Sequence, residues 1–246
     1  MSRSTAIRFD WNDPATWDAA LAGAGAAYIT YSPDLAFPGA DKQIEMLAGM
    51  LADRGISRVV LLSGRGEDGA VASERALLKS VPTAVVVSCS FFTQNFTEGP
   101  FLPSVLDGEI AMPVSATIGE PFLDIDDLAD VVVVALADDT HCGKVLELTG
   151  PEALTFPAIM RLLRDNAELT VSFKEISVPE YIEQAMAAGL PVEVAHGLAG
   201  LFTEVLDGRN VATTSTVQDV LGRPATPAAV TISRATQSGC FDVEEY

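Results

Sequence analysis

The chain repeats one hydropathy unit: a short aliphatic run, a turn of Gly, Pro, Ser or Asp, then an amphipathic stretch with helical spacing. Ala6 to Phe9 reads as a short strand. Asn12, Asp13 and Pro14 then supply capping side chains and a proline of preset φ, which start a helix running to about Gly23. Ala26 to Tyr31 is a second apolar strand, closed by Ser32, Pro33 and Asp34. In the helix that follows, Ile44, Leu47, Ala48 and Leu51 recur at i, i+3, i+4 and i+7, which buries one face. Arg58 to Leu62 is a strand, Glu67 to Lys79 a helix, and Thr83 to Ser88 a strand apolar on both faces, as the interior of a parallel sheet requires.

This β-α alternation with short connections predicts an α/β architecture with right-handed crossovers, where function collects at the strand C-termini. Beyond residue 100 the pattern loosens. Pro121 to Leu123 reads as a strand, Asp126 to Leu136 as a helix, Val145 to Thr149 as a strand, then a helix from Thr155 and a strand over Val171 to Ile176. Helices at Pro179 to Ala188, Val192 to Leu206 and Ser215 to Leu221 predict a small, mostly helical lobe. The expected organisation is a sheet domain over 1–150 and a dependent helical lobe over 151–246.

Composition narrows the classes. The 246 residues are 48% hydrophobic, enough for a sizeable core. Acidic residues outnumber basic ones 34 to 15, and the net charge of −19 repels nucleic-acid phosphates and anionic lipid. The acidity is spread along the chain, as a solvated surface would have it. Cys89, Cys142 and Cys240 lack disulfide or metal-ligand spacing, so they read as reduced thiols of a cytoplasmic protein with no metal. The run Val131 to Ala137 falls far short of the ~20 apolar residues of a spanning helix. His141 and His196 form no recognisable catalytic pair with a neighbour.

Three blocks carry chemical information: Arg8-Phe9-Asp10-Trp11-Asn12-Asp13-Pro14, Phe91-Phe92-Thr93-Gln94-Asn95-Phe96, and Pro121-Phe122-Leu123-Asp124-Ile125-Asp126-Asp127-Leu128-Ala129-Asp130. With Thr149-Gly150-Pro151, Leu154-Thr155-Phe156 and Phe202-Thr203-Glu204, they resemble the NmrA-like branch of the atypical short-chain dehydrogenase/reductases. That branch includes bacterial relatives of quinone, azo-dye and ergot-type imine reductases. The resemblance implies a Rossmann-like parallel sheet, an NADP or NAD cofactor, and a small imine, quinone or enone substrate. It implies that Asp10 and Trp11 line the adenine pocket and that Tyr31 and Pro33 lie on the cofactor side. Ser63, at a strand end, takes the place of the family serine beside cofactor and substrate carbonyl, and Glu74 matches an acidic residue of the active-site helix. Phe91, Phe92, Asn95, Tyr181 and Phe202 would form the substrate wall.

Each residue has a structural alternative. Phe91, Phe92 and Phe96 are also what a core uses, Ser63 a turn hydroxyl, and Glu74 a surface charge. Asp124 and Asp126 suit a helix N-terminus better than acid-base chemistry.

The sequence also departs from the family. No G-x-x-G-x-x-G turn is present, and Gly64, Gly66 and Gly69, although spaced as G-x-G-x-x-G, enclose Glu67 and Asp68, which repel phosphate. No Tyr-x-x-x-Lys pair occurs, and Ser88-Cys89 stand where relatives carry Arg-Pro. The expectation is a sheet shortened at its N-terminal side, without the first βαβ unit, and a reductase impaired in cofactor binding. The alternatives are a non-catalytic NmrA-like regulator or interaction paralogue, and a cofactor-independent isomerase or cyclase. An uncovered sheet edge would favour a homodimer.

Overall fold

A computed structural model describes residues 5–242. A 3-10 turn at Pro14–Thr16 leads into α1 (Trp17–Leu21), β1 (Ala26–Ile29), α2 (Ala40–Asp53), β2 (Arg58–Gly64), α3 (Asp68–Ser80) and β3 (Val85–Cys89). A second 3-10 turn, Thr93–Phe96, precedes α4 (Leu102–Asp107), β4 (Glu109–Met112), β5 (Gly119–Glu120), α5 (Ile125–Ala137), β6 (Val145–Leu148) and β7 (Leu154–Thr155). The chain continues through α6 (Phe156–Ala167), β8 (Ser172–Glu175), α7 (Val178–Ala187), α8 (Val192–Val205), α9 (Thr216–Leu221) and α10 (Ala228–Gln237).

The principal sheet runs β1-β2-β3-β6, with β1 at one edge and parallel to β2 from Ala26↔Arg58 to Ile29↔Leu61. The predicted α/β, Rossmann-like class is therefore the observed one. The chain divides into two compact units: Met1–Ser63, Asp68–Val87 and Val132–Leu146 form the first, and Gly64–Glu67, Ser88–Val131 and Glu147–Tyr246 the second.

In the first unit the stripe read on α2 faces inward: Ile44, Leu47, Ala48 and Leu51 are all buried, against a core that includes Trp17, Leu61 and Leu77. Each such aliphatic side chain contributes roughly 1.5–3 kcal/mol by leaving water. A Cβ on Gly69 would come within 2.3 Å of the Ala36 carbonyl oxygen, so the start of α3 requires a residue without a side chain. In the second unit Phe96, Ile110, Met112, Phe122, Phe156, Ile159, Leu163 and Phe202 form the core. Two small sheets serve it: β4 parallel to β8, and β5 antiparallel to β7. A Cβ on Gly150 would lie 2.0 Å from the Phe122 carbonyl oxygen, so the chain can cross the Pro121–Phe122 segment only as glycine.

Several expectations are corrected. Ala6 to Phe9 is not a strand; the backbone polar groups of the next residue, Asp10, are taken up by side chains further along the chain. Asp10 donates its N–H to Thr16 Oγ1 at 3.0 Å, and its carbonyl accepts from Trp17 Nε1 at 2.8 Å. The strand predicted at Pro121 to Leu123 falls earlier, at Gly119–Glu120, leaving only a single bridge between Leu123 and Phe92. Helices α4 and α10 and strand β4 were not anticipated. The signal for β4 lay in the inward pair Ile110 and Met112, and that for α10 in the spacing of Ala228, Ile232 and Ala235, all buried. No helix of the described residues is long and apolar enough to cross a membrane.

Candidate functional site

The first unit brings most of the predicted cofactor-side residues together. The Trp11 ring lies 4.7 Å from Tyr31 and 5.8 Å from Trp17, centroid to centroid. Tyr31 donates its hydroxyl to Gln43 Oε1, and burial pushes its phenol above the ordinary range. Pro33 lies two residues after Tyr31 and is exposed. Asp10 accepts the N–H of Asn12 at 2.9 Å, so its carboxylate shapes the turn that presents Trp11. Phe9, Trp11, Tyr28, Ile29, Thr30 and Leu47 are among the residues lining a groove of about 390 Å³ along β1.

Two residues singled out separately prove to be partners. The Ser63 hydroxyl donates to Glu74 Oε1 at 2.5 Å. Ser63 ends the apolar run of β2 and is buried, while Glu74 sits half-buried one turn into the α3 face that also buries Ala70, Ser73 and Leu77. A short bond between a hydroxyl and a carboxylate polarises the hydroxyl and fixes its direction.

The second unit assembles the aromatic group. Phe91 stacks on Phe101 at 6.0 Å and meets Phe202 at 6.0 Å, Phe122 at 6.2 Å and Phe156 at 6.5 Å. Tyr181 packs edge-on against Phe202 at 5.6 Å, its phenol raised by burial. Phe91, Phe92 and Tyr181 are half-buried, whereas Phe96 is wholly enclosed and Phe202, also predicted for the substrate wall, is buried in the core cluster. Asn95 is half-buried as well, its carbonyl accepting the Phe101 N–H at 2.9 Å.

The carboxylates of the third block are structural, as their helix-start position suggested. Asp124 accepts the Asp126 N–H at 2.8 Å, Gln94 Nε2 at 2.9 Å and Thr231 Oγ1 at 2.5 Å. Asp127 binds Arg223 at 2.5 Å and both the N–H and hydroxyl of Thr226 at 2.6 and 3.0 Å. Asp126 is exposed and faces Arg234 at 3.7 Å. Cys89 is buried, and burial reinforced by Glu67 drives its thiol far above the ordinary range, so it is no nucleophile. Among the described residues no His, Cys, Asp and Glu cluster could hold a metal ion.

Sequence reasoning passed over Glu120 and Arg65. Glu120 is buried and accepts the Phe91 N–H at 3.1 Å. Burial, opposed by the Phe91 N–H, the Arg65 guanidinium and the Ser90 hydroxyl, raises its carboxyl to about 7. Arg65 binds Glu147 at 3.1 Å and the carbonyls of Asn210 and Ala212 at 2.7 and 2.9 Å. Only a buried environment marks Glu120, and Gly-Glu-Pro-Phe by itself reads as a surface turn.

The G-x-G-x-x-G spacing does not fit a diphosphate. The Glu67 carboxylate occupies the space beside Gly64, where an added Cβ would meet Oε1 at 1.8 Å, and Asn210 crowds Gly66 at 2.5 Å. The glycines serve close packing, and no step is assigned to them. Trp11, Tyr31 and the groove along β1 present flat apolar surface.

No family model matches the chain. By sequence it is 26% identical over 221 residues to the prestalk A differentiation protein A of Dictyostelium discoideum, covering 89% of this chain and 72% of that protein. It is 30% identical over 182 residues to an uncharacterized oxidoreductase of Bacillus subtilis, covering 69% of this chain and 60% of the relative. The NADPH complex of the quinone oxidoreductase QOR2 of Escherichia coli superposes with a TM-score of 0.76 at 20% identity, over 93% of this chain and 82% of that one. The chain thus has a Rossmann-type fold, its structural neighbours are NmrA-like, atypical short-chain dehydrogenase/reductases, and its sequence is similar to oxidoreductases.

Proposed function

We propose that the protein is an NAD(P)H-dependent reductase of a small quinone, imine or enone. The observation that carries this reading is the 2.5 Å hydrogen bond between Ser63 and Glu74 at the C-terminal end of β2, where this fold concentrates its chemistry. Reduction of such a substrate needs a hydride, which a nicotinamide supplies, and a proton. With Glu74 ionised, Ser63 donates to it and offers an oxygen lone pair outward. With Glu74 protonated the bond reverses: Glu74 donates to Ser63, and Ser63 is free to donate to a substrate oxygen or nitrogen. The pair thus moves a proton without a tyrosine.

The remaining roles are proposed from the family resemblance. Trp11, Tyr31 and Pro33 are candidate contacts for the nucleoside, with Asp10 shaping their turn; Phe91, Phe92, Asn95, Tyr181 and Phe202 are candidate walls for a flat substrate. The quinone activity named for the Escherichia coli structure supports a planar, electron-poor substrate. Because the Glu67 carboxylate fills the glycine-spaced loop after β2, cofactor affinity is proposed to be weak and the NADP or NAD preference shallow. A second reading, a non-catalytic regulator, draws on that same filled loop and on the Dictyostelium relative, which is named for a role in differentiation.

Calorimetric titration with NADPH and NADH, followed by nucleotide oxidation at graded concentrations of a benzoquinone, separates the two. Heat with either nucleotide and quinone-dependent turnover are expected of the reductase; absence of both leaves the regulator. Among the described residues strand β1 pairs with β2 alone, which also supports a homodimer formed across that edge, detectable by light scattering over a concentration series.

A further inference from the structure

Among its described residues the second unit buries three carboxyls, and two of them are richly partnered. Asp124 has Gln94, Thr231 and the Asp126 N–H, and Asp127 has Arg223 and Thr226. Glu120 differs, since its carboxyl makes one hydrogen bond, to the Phe91 N–H at 3.1 Å, although only 3% of the residue is exposed. The nearby cation is occupied elsewhere. Arg65 directs its guanidinium to Glu147 and to the Asn210 and Ala212 carbonyls, and does not come into ion-pair contact with Glu120. The Ser90 hydroxyl, itself wholly enclosed, lies near enough to favour the carboxylate but short of hydrogen-bonding geometry, so it is a spare donor.

Phe91 is held from one segment on both its backbone polar groups. Its N–H goes to the Glu120 side chain and its carbonyl accepts from Leu123 N–H at 2.8 Å. The Phe91 ring is the member of the aromatic group that touches Phe101, Phe122, Phe156 and Phe202. A change at the Glu120 carboxyl therefore reaches the ring through a single peptide.

We infer that Glu120 is a positioning residue for the Phe91 wall: gain or loss of its proton resets the Phe91 backbone and with it the surface offered to a flat substrate. This rests on the reading of Phe91 as a substrate wall, but the coupling of Glu120 to Phe91 does not. In the neutral acid the carbonyl oxygen accepts from Phe91, and the Ser90 hydroxyl stays unengaged. Ionisation makes the carboxylate a stronger acceptor, draws in the Ser90 hydroxyl, and pulls on the Phe91 N–H. The charged groups around it are Arg65 at the end of β2, Glu147 bound to Arg65, and Glu67, which faces the Cys89 thiol. Arg65 favours ionisation, and Glu147 offsets part of that effect.

The test is an NMR titration of the intact chain without nucleotide or substrate, following the Glu120 side-chain carboxyl carbon and the Phe91 amide. Both signals are expected to follow one ionisation centred near neutral pH. Glu120→Gln, which keeps an acceptor oxygen, should fold with a Phe91 amide that no longer titrates. Glu147→Gln, at an exposed position, should move the midpoint to lower pH by freeing the Arg65 charge to favour the carboxylate. A carboxyl that titrates in the ordinary acidic range, or a Phe91 amide that ignores Glu120, overturns the inference. If Glu120→Gln does not fold, the unaltered chain and Glu147→Gln still decide it. In an active preparation, KM for a benzoquinone should follow the same ionisation while kcat does not. Failure of turnover alone would sink the reductase reading and leave the coupling standing.

Discussion

At the scale of single residues, the chain's two notable carboxyls ask different things of solvent. Glu74 is half-buried and engages a hydroxyl, so removing either partner should strike chemistry more than stability. Ser63→Ala is expected to lower kcat by about 100-fold, the usual scale of a lost proton-transfer group, with KM for the quinone little changed. Glu74→Gln should do the same, because an amide cannot return a proton to Ser63. Equal losses in both variants, and no further loss in the double variant, would show that the two act as one unit.

Glu120 acts on stability. Its carboxyl is raised to about 7, mainly by burial, from an ordinary value of 4.5. Between those values the folded chain holds a proton that the unfolded chain has released. Stability from this group is therefore full at acid pH, declines as pH climbs through that window, and levels off above it. At about 1.4 kcal/mol per pH unit the loss amounts to about 3 kcal/mol. Urea unfolding of the wild type at pH 5 and pH 8 should show the decline, and Glu120→Gln should remove most of it. An unchanged slope in that variant would refute the assignment.

At the scale of elements, what the sequence disclosed depended on whether a signal was local. The α2 stripe of Ile44, Leu47, Ala48 and Leu51 and the unbroken apolar run of β3 were readable because burial leaves a period in the residues themselves. Ala6 to Phe9 carried the same kind of signal and misled, because Thr16 and Trp17 claim the Asp10 backbone from a distance along the chain. Ser63 and Glu74 could each be picked out, but their contact required the strand end and helix face to be placed in space. Glu120 was invisible, since its character comes from the walls around it.

The start of α5 offers an elemental prediction. Asp127 is fully enclosed and ties this helix to the Arg223–Thr226 segment through three hydrogen bonds. Asp127→Ala leaves two Thr226 donors without their buried acceptor and Arg223 with one carboxylate partner, Asp130, and is expected to cost about 3 kcal/mol. Asp126→Ala, one residue away and exposed, should cost well under 1 kcal/mol. Denaturant unfolding of the pair separates clamp from surface charge, and similar losses for both would remove the clamp.

At the scale of the whole molecule the governing quantity is the net charge of −19, set against the anionic nucleotide proposed as cofactor. Most Rossmann-type sites answer such repulsion locally, with a helix N-terminus and a glycine turn on the diphosphate. Here the glycine-spaced loop after β2 is filled by the Glu67 carboxylate, and the surfaces suited to a nucleoside are aromatic and aliphatic, at Trp11, Tyr31 and the groove along β1. Apolar contact is indifferent to salt, whereas repulsion between the acidic protein and the nucleotide is screened by it. Binding of NADPH should therefore tighten as salt rises from a few millimolar to physiological strength, and NADPH, with its extra phosphate, should gain more than NADH. Affinity measured by nucleotide fluorescence across that range tests the balance of forces directly. Affinity that instead weakens with salt would mean that basic side chains hold the phosphates, and the aromatic surface would lose its place as the principal grip.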